Sequence, residues 1–256
     1  PALTRSKPWD EAETLAKEKE VLGFYVSSHP LDRFAPIISA FANTDTQRVR
    51  ETQQDSRVIL GAMIKSVRPI VTKTGGRMAI VTVEDTLGTM ECVLFTEAYA
   101  AHGSKLITDA VVFFIGTTDH SRGDPQVIVE QVHPVEEGPA RFATRMEITF
   151  DEGRLNGAGR AALEQVAGEI RRAQNMVSSA ATGFTQVPVQ VVVRSAGKRY
   201  RLEAPTAKVC PTAELINHLR HVLGEESVNV FGGKPIELNA RKERGYRRAP
   251  ASAQAG

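Results

Sequence analysis

The pattern of hydrophobic and polar positions changes twice along the chain. In residues 8–28 apolar side chains recur at intervals of three and four, which predicts a helix. From Arg57 onward the chain turns to short segments rich in β-branched residues, in which apolar positions alternate with polar ones or run together. Beyond residue 145, strand-like and helix-like segments follow one another. The pattern predicts four parts: a helical lead-in (1–56), a β-rich domain (57–136), a small α+β domain (145–232) and a disordered basic tail (233–256).

The β-rich domain has the element order of a known small barrel. Five predicted strands are separated by turn sequences such as TKTGGR, TLG and HSRGDP, and the short helix TEAYAAHGSKL falls between the third and fourth strands. Three strands, a helix and two further strands are the order of an OB-fold, a five-stranded Greek-key barrel. Gly61, inside the first strand, is expected at the sharp bend that such a barrel needs.

Helices are expected on both sides of this barrel. Before it, a short helix at about residues 33–41 leads into a polar connector with few apolar anchors. After it, Leu163, Val166 and Ile170 share one face of a helix, and a later helix ends at Gly224 before a last strand. The predicted fold class is therefore mostly β plus α+β, with an OB-fold barrel, an N-terminal helical lead-in and a small C-terminal α+β domain.

Composition and charge limit the classes of function. Of the 256 residues, 24% are charged and 41% hydrophobic, and the net charge of +2 means that any nucleic-acid binding must come from local patches. No apolar run approaches the roughly 20 residues of a membrane span, and the first residues lack the apolar core of a signal peptide. We therefore expect a cytoplasmic chain without a membrane partner. The chain does not begin with Met, as expected of a fragment or a processed protein.

No residues have the spacing of a metal site. Cys92 and Cys210 belong to no CxxC or Cys/His pattern, and we expect two buried, reduced thiols in a reducing compartment. His218 and His221 lie three apart on a predicted helix, but no further ligand is near them in the sequence. The sequence predicts no metal and no cofactor in this chain.

One segment, GFYVSSHPLDRF, carries the residue types of a hydrolase site. Side chains of the adjacent residues Ser28 and His29 diverge, however, and no third group is placed to orient the ring. A helix-ending turn before Pro30 explains the serines, the histidine and the proline together. Since phosphate-loop, dinucleotide, zinc-protease and nucleophile-elbow motifs are also absent, no catalytic residue is predicted.

Nucleic-acid binding is the better candidate. An OB-fold binds single strands across its second and third strands, between the loop that follows strand one and the loop that follows strand four. Basic side chains occur in or beside both loops here, so we expect positive charge from the two loops at one mouth of the barrel. The candidate residues are Lys65, Arg68, Lys73, Thr74, Arg77 and Arg122. Phe95, Phe113 and Phe114 could stack on bases or could belong to the core, and the loop charges could simply be solvated.

Three segments resemble one protein family. They are EKEVLGFYVSSHPLDRF, GAMIKSVRPIVTKTGGRMAIVTVEDTLGTMECVLF and ELINHLRHVLGEESVNVF. Together they resemble the C-terminal region of the bacterial DNA polymerase III alpha subunits, which are C-family replicative polymerases. The resemblance extends from about Trp9 to Phe231 and is most specific in the middle segment.

The resemblance implies a role in DNA replication. It implies an OB barrel close to the single-stranded template and a last domain that contacts the clamp-loader tau subunit and other replisome proteins. The parent polymerase would use Mg²⁺ and three palm aspartates, but no matching motif occurs in this chain, so polymerase activity is not assigned to it. The family's clamp-binding peptide would lie upstream of Trp9.

Three hypotheses follow. The first is a non-catalytic part of such a polymerase, in which the barrel binds single-stranded DNA and the α+β domain docks a partner. The second is a tRNA anticodon-binding module of an aminoacyl-tRNA synthetase, although adenylation motifs are missing. The third is a protein-interaction OB module with incidental loop charges. Fluorescence anisotropy with single-stranded DNA, RNA and duplex distinguishes them.

Overall fold

The computed structural model describes residues 30–121, 123–154, 159–176 and 183–232, together with four isolated positions before residue 22. The first unit contains α1 (Ala35–Phe41), α2 (Arg48–Glu51), β1 (Arg57–Val71), β2 (Arg77–Glu84), β3 (Thr89–Leu94), α3 (Thr96–His102), β4 (Val111–Asp119) and β5 (Gln126–Pro134). The second unit contains α4 (Gly138–Phe142), β6 (Ala143–Asp151), α5 (Gly159–Met176), β7 (Val187–Ser195), β8 (Lys198–Val209), α6 (Ala213–Leu223) and β9 (Val228–Gly232).

The five strands of the first unit close into a barrel in the order β1-β2-β3-β5-β4. β3 and β5 are parallel, and every other neighbouring pair is antiparallel. The fifteen-residue strand β1 closes the barrel because its first half pairs with β4 and its second half with β2. The predicted OB-fold is therefore confirmed.

One side of this barrel is buried on both faces of its strands. In the first half of β1, alternate side chains such as Leu60 point into the barrel core, while Ile59 and Met63 belong to a second core outside the barrel. β4 is divided in the same way, with Phe114 inside and Phe113 outside. Double burial explains why both segments are continuous apolar runs, since neither face of the strand meets water.

The opposite side of the barrel is open to solvent. β2 alternates between fully buried residues and half-exposed ones, and Ala79, Val81 and Val83 point inward. In β3, Met90 and Cys92 point inward, whereas the intervening positions face outward. An uncovered β2–β3 surface is the surface on which a ligand can lie.

The second unit is a four-stranded sheet in the order β8-β7-β6-β9, with α5 and α6 packed on one face. Met146, Ile148 and Phe150 of β6 point toward these helices, as do Leu215 and Leu219 of α6. The outer face of the barrel side formed by β1 and β4 contributes to the same core cluster. The two units are consequently joined by a shared apolar core, in which α1 and α4 take part.

The connector between α1 and β1 is better anchored than the sequence suggested. Val49 of α2 is completely buried and belongs to the barrel core. The Asp85 carboxylate accepts hydrogen bonds from the Thr46 backbone N–H (2.7 Å) and hydroxyl (2.6 Å). The connector thus has few apolar anchors, as expected, and two short polar contacts together with Val49 fix it to the barrel.

Gly61 has a different role from the expected bend. A Cβ atom at this position would lie 2.8 Å from Cγ2 of Ile38, so the glycine allows α1 to approach β1 closely. The irregularity of β1 lies three residues later, between Ile64 and Ser66, where its register with β2 shifts. A close helix–strand contact is thus a role of Gly61 that the sequence did not predict.

Several predicted features lie outside the described residues. They are nearly all of the helix at 8–28, the Ser28–His29 pair and the basic tail at 233–256. In the part of the chain that is described, no helix is both long and apolar enough to cross a membrane.

Candidate nucleic-acid interface

The outward side of β2 and β3, which we call the open face, combines apolar and polar side chains. Its members are Met78, Ile80, Thr82, Glu84, Thr89 and Glu91, together with Val93, which points outward but is buried. Ile80 lies directly opposite Val93, and Thr82 lies opposite Glu91. An apolar strip therefore occupies the half of the open face that is nearer to Arg77, and a polar strip occupies the other half.

The β1–β2 turn (residues 72–76) borders the apolar half. The Thr72 N–H donates to the Gly76 carbonyl (2.7 Å) and the Gly75 N–H to the Thr72 carbonyl (2.9 Å), which makes the turn tight. Gly75 has φ of +81°, a conformation that favours glycine. The hydroxyls of Thr72 and Thr74 are 3.1 Å apart, so the Thr74 hydroxyl already has one partner within the turn.

Three candidate cations point away from the barrel around this turn. Arg68, Lys73 and Arg77 are exposed, and within the described residues none of them forms an ion pair with a carboxylate. Arg68 is the β1 residue opposite Ile80, so its guanidinium borders the apolar strip. Charges with no neighbouring carboxylate are the ones available to a phosphate backbone.

Lys65 differs from the other candidates. Its ammonium lies 3.2 Å from both carboxylate oxygens of Glu84, at the far end of β2 from the β1–β2 turn. Much of its charge is therefore balanced within the protein, and the structure separates it from Lys73 and Arg77.

The β4–β5 turn (residues 120–125) lies at the opposite end of the open face. Asp119 and the turn contact Gln54 of the connector, and the same connector contacts Leu87 in the β2–β3 turn. The β1–β2 turn instead approaches Thr96 at the start of α3, near the end of β3. The expectation that the two loops share one mouth is wrong, because the staggered registers of the barrel place them at opposite ends of β2 and β3. Arg122 lies outside the described residues.

Asp119 shapes the β4–β5 turn. Its carboxylate accepts hydrogen bonds from the Ser121 N–H (3.0 Å) and from the side-chain amides of Gln126 (2.9 Å) and Gln54 (3.3 Å). These bonds, chiefly those from Ser121, hold the pKa of the Asp119 carboxyl well below its usual range. A carboxylate that remains ionised at this end opposes the approach of phosphate.

Charge is consequently unequal along the open face. Arg68, Lys73 and Arg77 surround the apolar half, whereas Glu84 and the exposed Glu91 lie on the polar half. A phosphate backbone is attracted to the first half and repelled from the second. The charge pattern favours a short binding track beside the β1–β2 turn.

Aromatic stacking contributes little to this surface. β2 and β3 contain no aromatic residue, and the rings of Phe113 and Phe114 are fully buried. Phe95, which follows β3, is 45% exposed and is the one ring of the three predicted candidates that a base could reach. The apolar strip of Met78, Ile80 and Val93 was not identified from the sequence. The alternation of inward and outward positions along β2 indicates that Met78 and Ile80 share its outward side.

The other candidate chemistries find no support. No group of three or more potential metal ligands occurs in the described part of the chain. His218 is exposed, and its Nδ1 atom lies 3.8 Å from a Glu169 oxygen. Cys92 and Cys210 are buried free thiols as predicted, and burial raises the pKa of Cys92 far above its ordinary value.

The barrel matches a known domain family. Residues 58–135 match the tRNA_anti-codon family model, which is described as an OB-fold nucleic acid binding domain. The fold and the match together define the barrel as an OB-fold of the nucleic-acid-binding class. The second OB-fold domain of replication protein A from Methanococcus maripaludis is 12% identical, with a TM-score of 0.29 over 36% of this chain and 96% of that domain. A TM-score this low carries no argument about ligands.

Sequence relatives extend the resemblance beyond the barrel. The DNA polymerase III subunit alpha of Escherichia coli K12 is 25% identical over 228 residues, covering 88% of this chain and 19% of that protein. The subunit of Borreliella burgdorferi is 32% identical over 151 residues, covering 59% of this chain and 13% of that protein. The resemblance to bacterial DNA polymerase III alpha subunits is thus confirmed. The chain spans only 11% and 19% of the length of the Treponema pallidum and E. coli relatives.

Proposed function

We propose that this chain is the part of a bacterial replicative polymerase that holds single-stranded DNA on its OB barrel. One observation supports the proposal above all others. The β1–β4 side of the barrel is buried on both faces, whereas the β2–β3 side is more exposed and has at one end three cations that no carboxylate of the described residues pairs with. The similarity to DNA polymerase III alpha subunits favours DNA as the ligand.

The strand would lie beside the β1–β2 turn. Lys73 and Arg77 would contact phosphates, Arg68 would contact a phosphate at the border of the open face, and bases would rest on Met78 and Ile80. Thr74 and the turn amides could add hydrogen bonds, whereas Lys65 and Arg122 would play minor parts. Because aromatic platforms are scarce, binding should depend strongly on phosphate contacts and therefore on salt.

Fluorescence anisotropy of the 256-residue chain with labelled oligo(dT) tests this function. Replacing Lys73 and Arg77 by Ala should weaken binding and reduce the slope of log K against log salt by about 1.4, since each single-strand phosphate contact contributes about 0.7. A matched control replaces two exposed arginines of α5, Arg160 and Arg171, by Ala and should leave the slope unchanged.

The alternatives give different results in the same titration. Selective binding of tRNA over oligo(dT) would favour the hypothesis of an anticodon-binding module, which agrees with the name of the matching family model. Equal effects of the two double variants would show that the β1–β2 turn is not the site. If the chain binds no nucleic acid at low salt, the hypothesis of a protein-interaction module would be the one that remains.

The proposal extends to the parent protein. Within it, the second unit would dock the clamp-loader tau subunit or another replisome protein in the cytoplasm, and Mg²⁺ with the palm aspartates would act in parts of the polymerase that this chain does not include. Co-purification of tau with the full chain tests the docking role. Failure of tau to co-purify would contradict it.

A further inference from the structure

Strand β8 is an edge of the second sheet. In the strand order β8-β7-β6-β9 it pairs with β7 alone among the described strands. The other edge strand, β9, is covered, since a Cβ atom at Gly232 would lie 2.3 Å from the Ala40 carbonyl oxygen of α1. β8 therefore offers the backbone edge at which another strand could be added.

Two large apolar side chains are exposed along this edge. Tyr200 is 51% exposed and Leu202 is 54% exposed, and the two lie two positions apart on the same side of the strand. Their partners across the ladder, Val193 and Val191, are packed against the core under the helices. The apolar surface of the sheet thus extends to strand β8, beyond the part that α5 and α6 cover. Leu163 of helix α5, which contacts β8, is also 47% exposed.

Charge along the edge determines which partner fits. Lys198, Arg199 and Arg201 are exposed within four consecutive positions, and Arg199 reaches across the sheet to Glu147 at 3.0 Å. Pairing with a second copy of β8 would place these cations against one another, which is unfavourable. An acidic strand would pair with them, and Pro205, which lacks an N–H, would limit the added ladder to about the first half of β8.

We propose that the β8 edge binds an acidic, extended segment of a partner protein by β-strand addition. The added strand lies against Lys198–Leu202, its backbone completes the ladder, and its carboxylates face Arg199 and Arg201, which lie on the opposite side of β8 from Tyr200 and Leu202. Alternate apolar side chains of the partner cover Tyr200 and Leu202. A protein strand is favoured over a nucleic acid because the free backbone edge and the two apolar side chains on one side match the period of a β-strand.

The test is isothermal titration of the full chain with a synthetic peptide of about eight residues that alternates Glu and Val. The peptide should bind, and hydrogen exchange of residues 198–202 should slow in the complex. The double variant Tyr200→Ser/Leu202→Ser should weaken binding about tenfold or more. The matched variant Leu87→Ser, at a leucine 48% exposed in the β2–β3 turn, should leave the affinity unchanged.

Two further probes separate strand addition from charge attraction. A peptide that alternates Glu and Pro has the same charge but cannot form a ladder, and it should not bind. The proposal is overturned if the Glu/Pro peptide binds as well as the Glu/Val peptide, or if the Glu/Val peptide does not bind. It is also overturned if replacement of Arg199 and Arg201 by Glu abolishes binding of oligo(dT) but leaves binding of the Glu/Val peptide unchanged.

Discussion

The contact between Gly61 and α1 gives the sharpest test of the fold. Gly61→Ala would place a methyl carbon 2.8 Å from Cγ2 and 3.0 Å from Cγ1 of Ile38, whereas carbon atoms pack favourably at about 3.5–4.0 Å. Overpacking of this kind costs about 1–3 kcal/mol. The lower entropy of the unfolded Ala chain offsets about 0.4–1 kcal/mol of that cost. We therefore expect a net loss of about 1–2 kcal/mol in the free energy of unfolding.

A double-mutant cycle with Ile38→Ala identifies the cause. Without the Ile38 side chain the new methyl group has room, so Gly61→Ala should become neutral or slightly stabilising in that background. Urea denaturation followed by far-UV circular dichroism measures all four proteins. Gly168→Ala is the control, since a Cβ atom there meets nothing within 4 Å and should stabilise helix α5 by about 0.5–1 kcal/mol. An equal cost of Gly61→Ala in both backgrounds would refute the close-contact explanation and restore the expected bend.

Three further predictions follow from buried groups. Val49→Ala should lower the free energy of unfolding by about 2 kcal/mol in urea denaturation, since it removes two buried methyl groups and leaves a cavity. A change near zero would mean that Val49 does not anchor the connector to the barrel. Burial, with Arg141 and Lys105 nearby, lowers the pKa of His133 from 6.5 to about 3, so the unfolded state binds the extra proton between these values. The free energy of unfolding should therefore fall as pH drops below about 6.5, by at most about 1.4 kcal/mol per pH unit from this group. The fall should be shallower in His133→Gln. Identical pH profiles of the two proteins would contradict the lowered pKa of His133. The thiol of Cys92, whose pKa is raised by burial, should react with a disulfide reagent only after denaturant is added, and rapid reaction in the native protein would show that the barrel opens.

Periodicity and turn chemistry were enough to predict the barrel. Strands of six to fifteen residues separated by Gly- and Asp-containing turns have few alternative arrangements, and the order of the elements selects the OB-fold. The buried state of Cys92 was predicted from the general tendency of free cysteines to be buried, and the structure places it at an inward position of β3. Local rules work here because each of these features depends on neighbouring residues.

The candidate site was only partly predictable. Lys73 and Arg77 are exposed beside the β1–β2 turn, where the sequence placed them, but their role in binding stays a prediction. The prediction that the β1–β2 and β4–β5 turns lie at the same mouth of the barrel was wrong. The stagger of a closed barrel depends on all five strands, and neither loop sequence indicates it. The balance of Lys65 by Glu84 was missed for a similar reason, because nineteen positions separate residues that become neighbours only in the β1–β2 ladder.

The sequence by itself thus determined the elements of this protein, their order and the family to which it is similar, because these follow from local periodicity, turn residues and specific segments. Only the tertiary structure decided which side of the barrel is covered. Continuous apolar runs in β1 and β4 are buried on both faces because α1, α4 and the second unit close over them, and this cover leaves the β2–β3 side open. Burial of one side by distant parts of the chain is a global event, and it is what locates the surface available to a ligand.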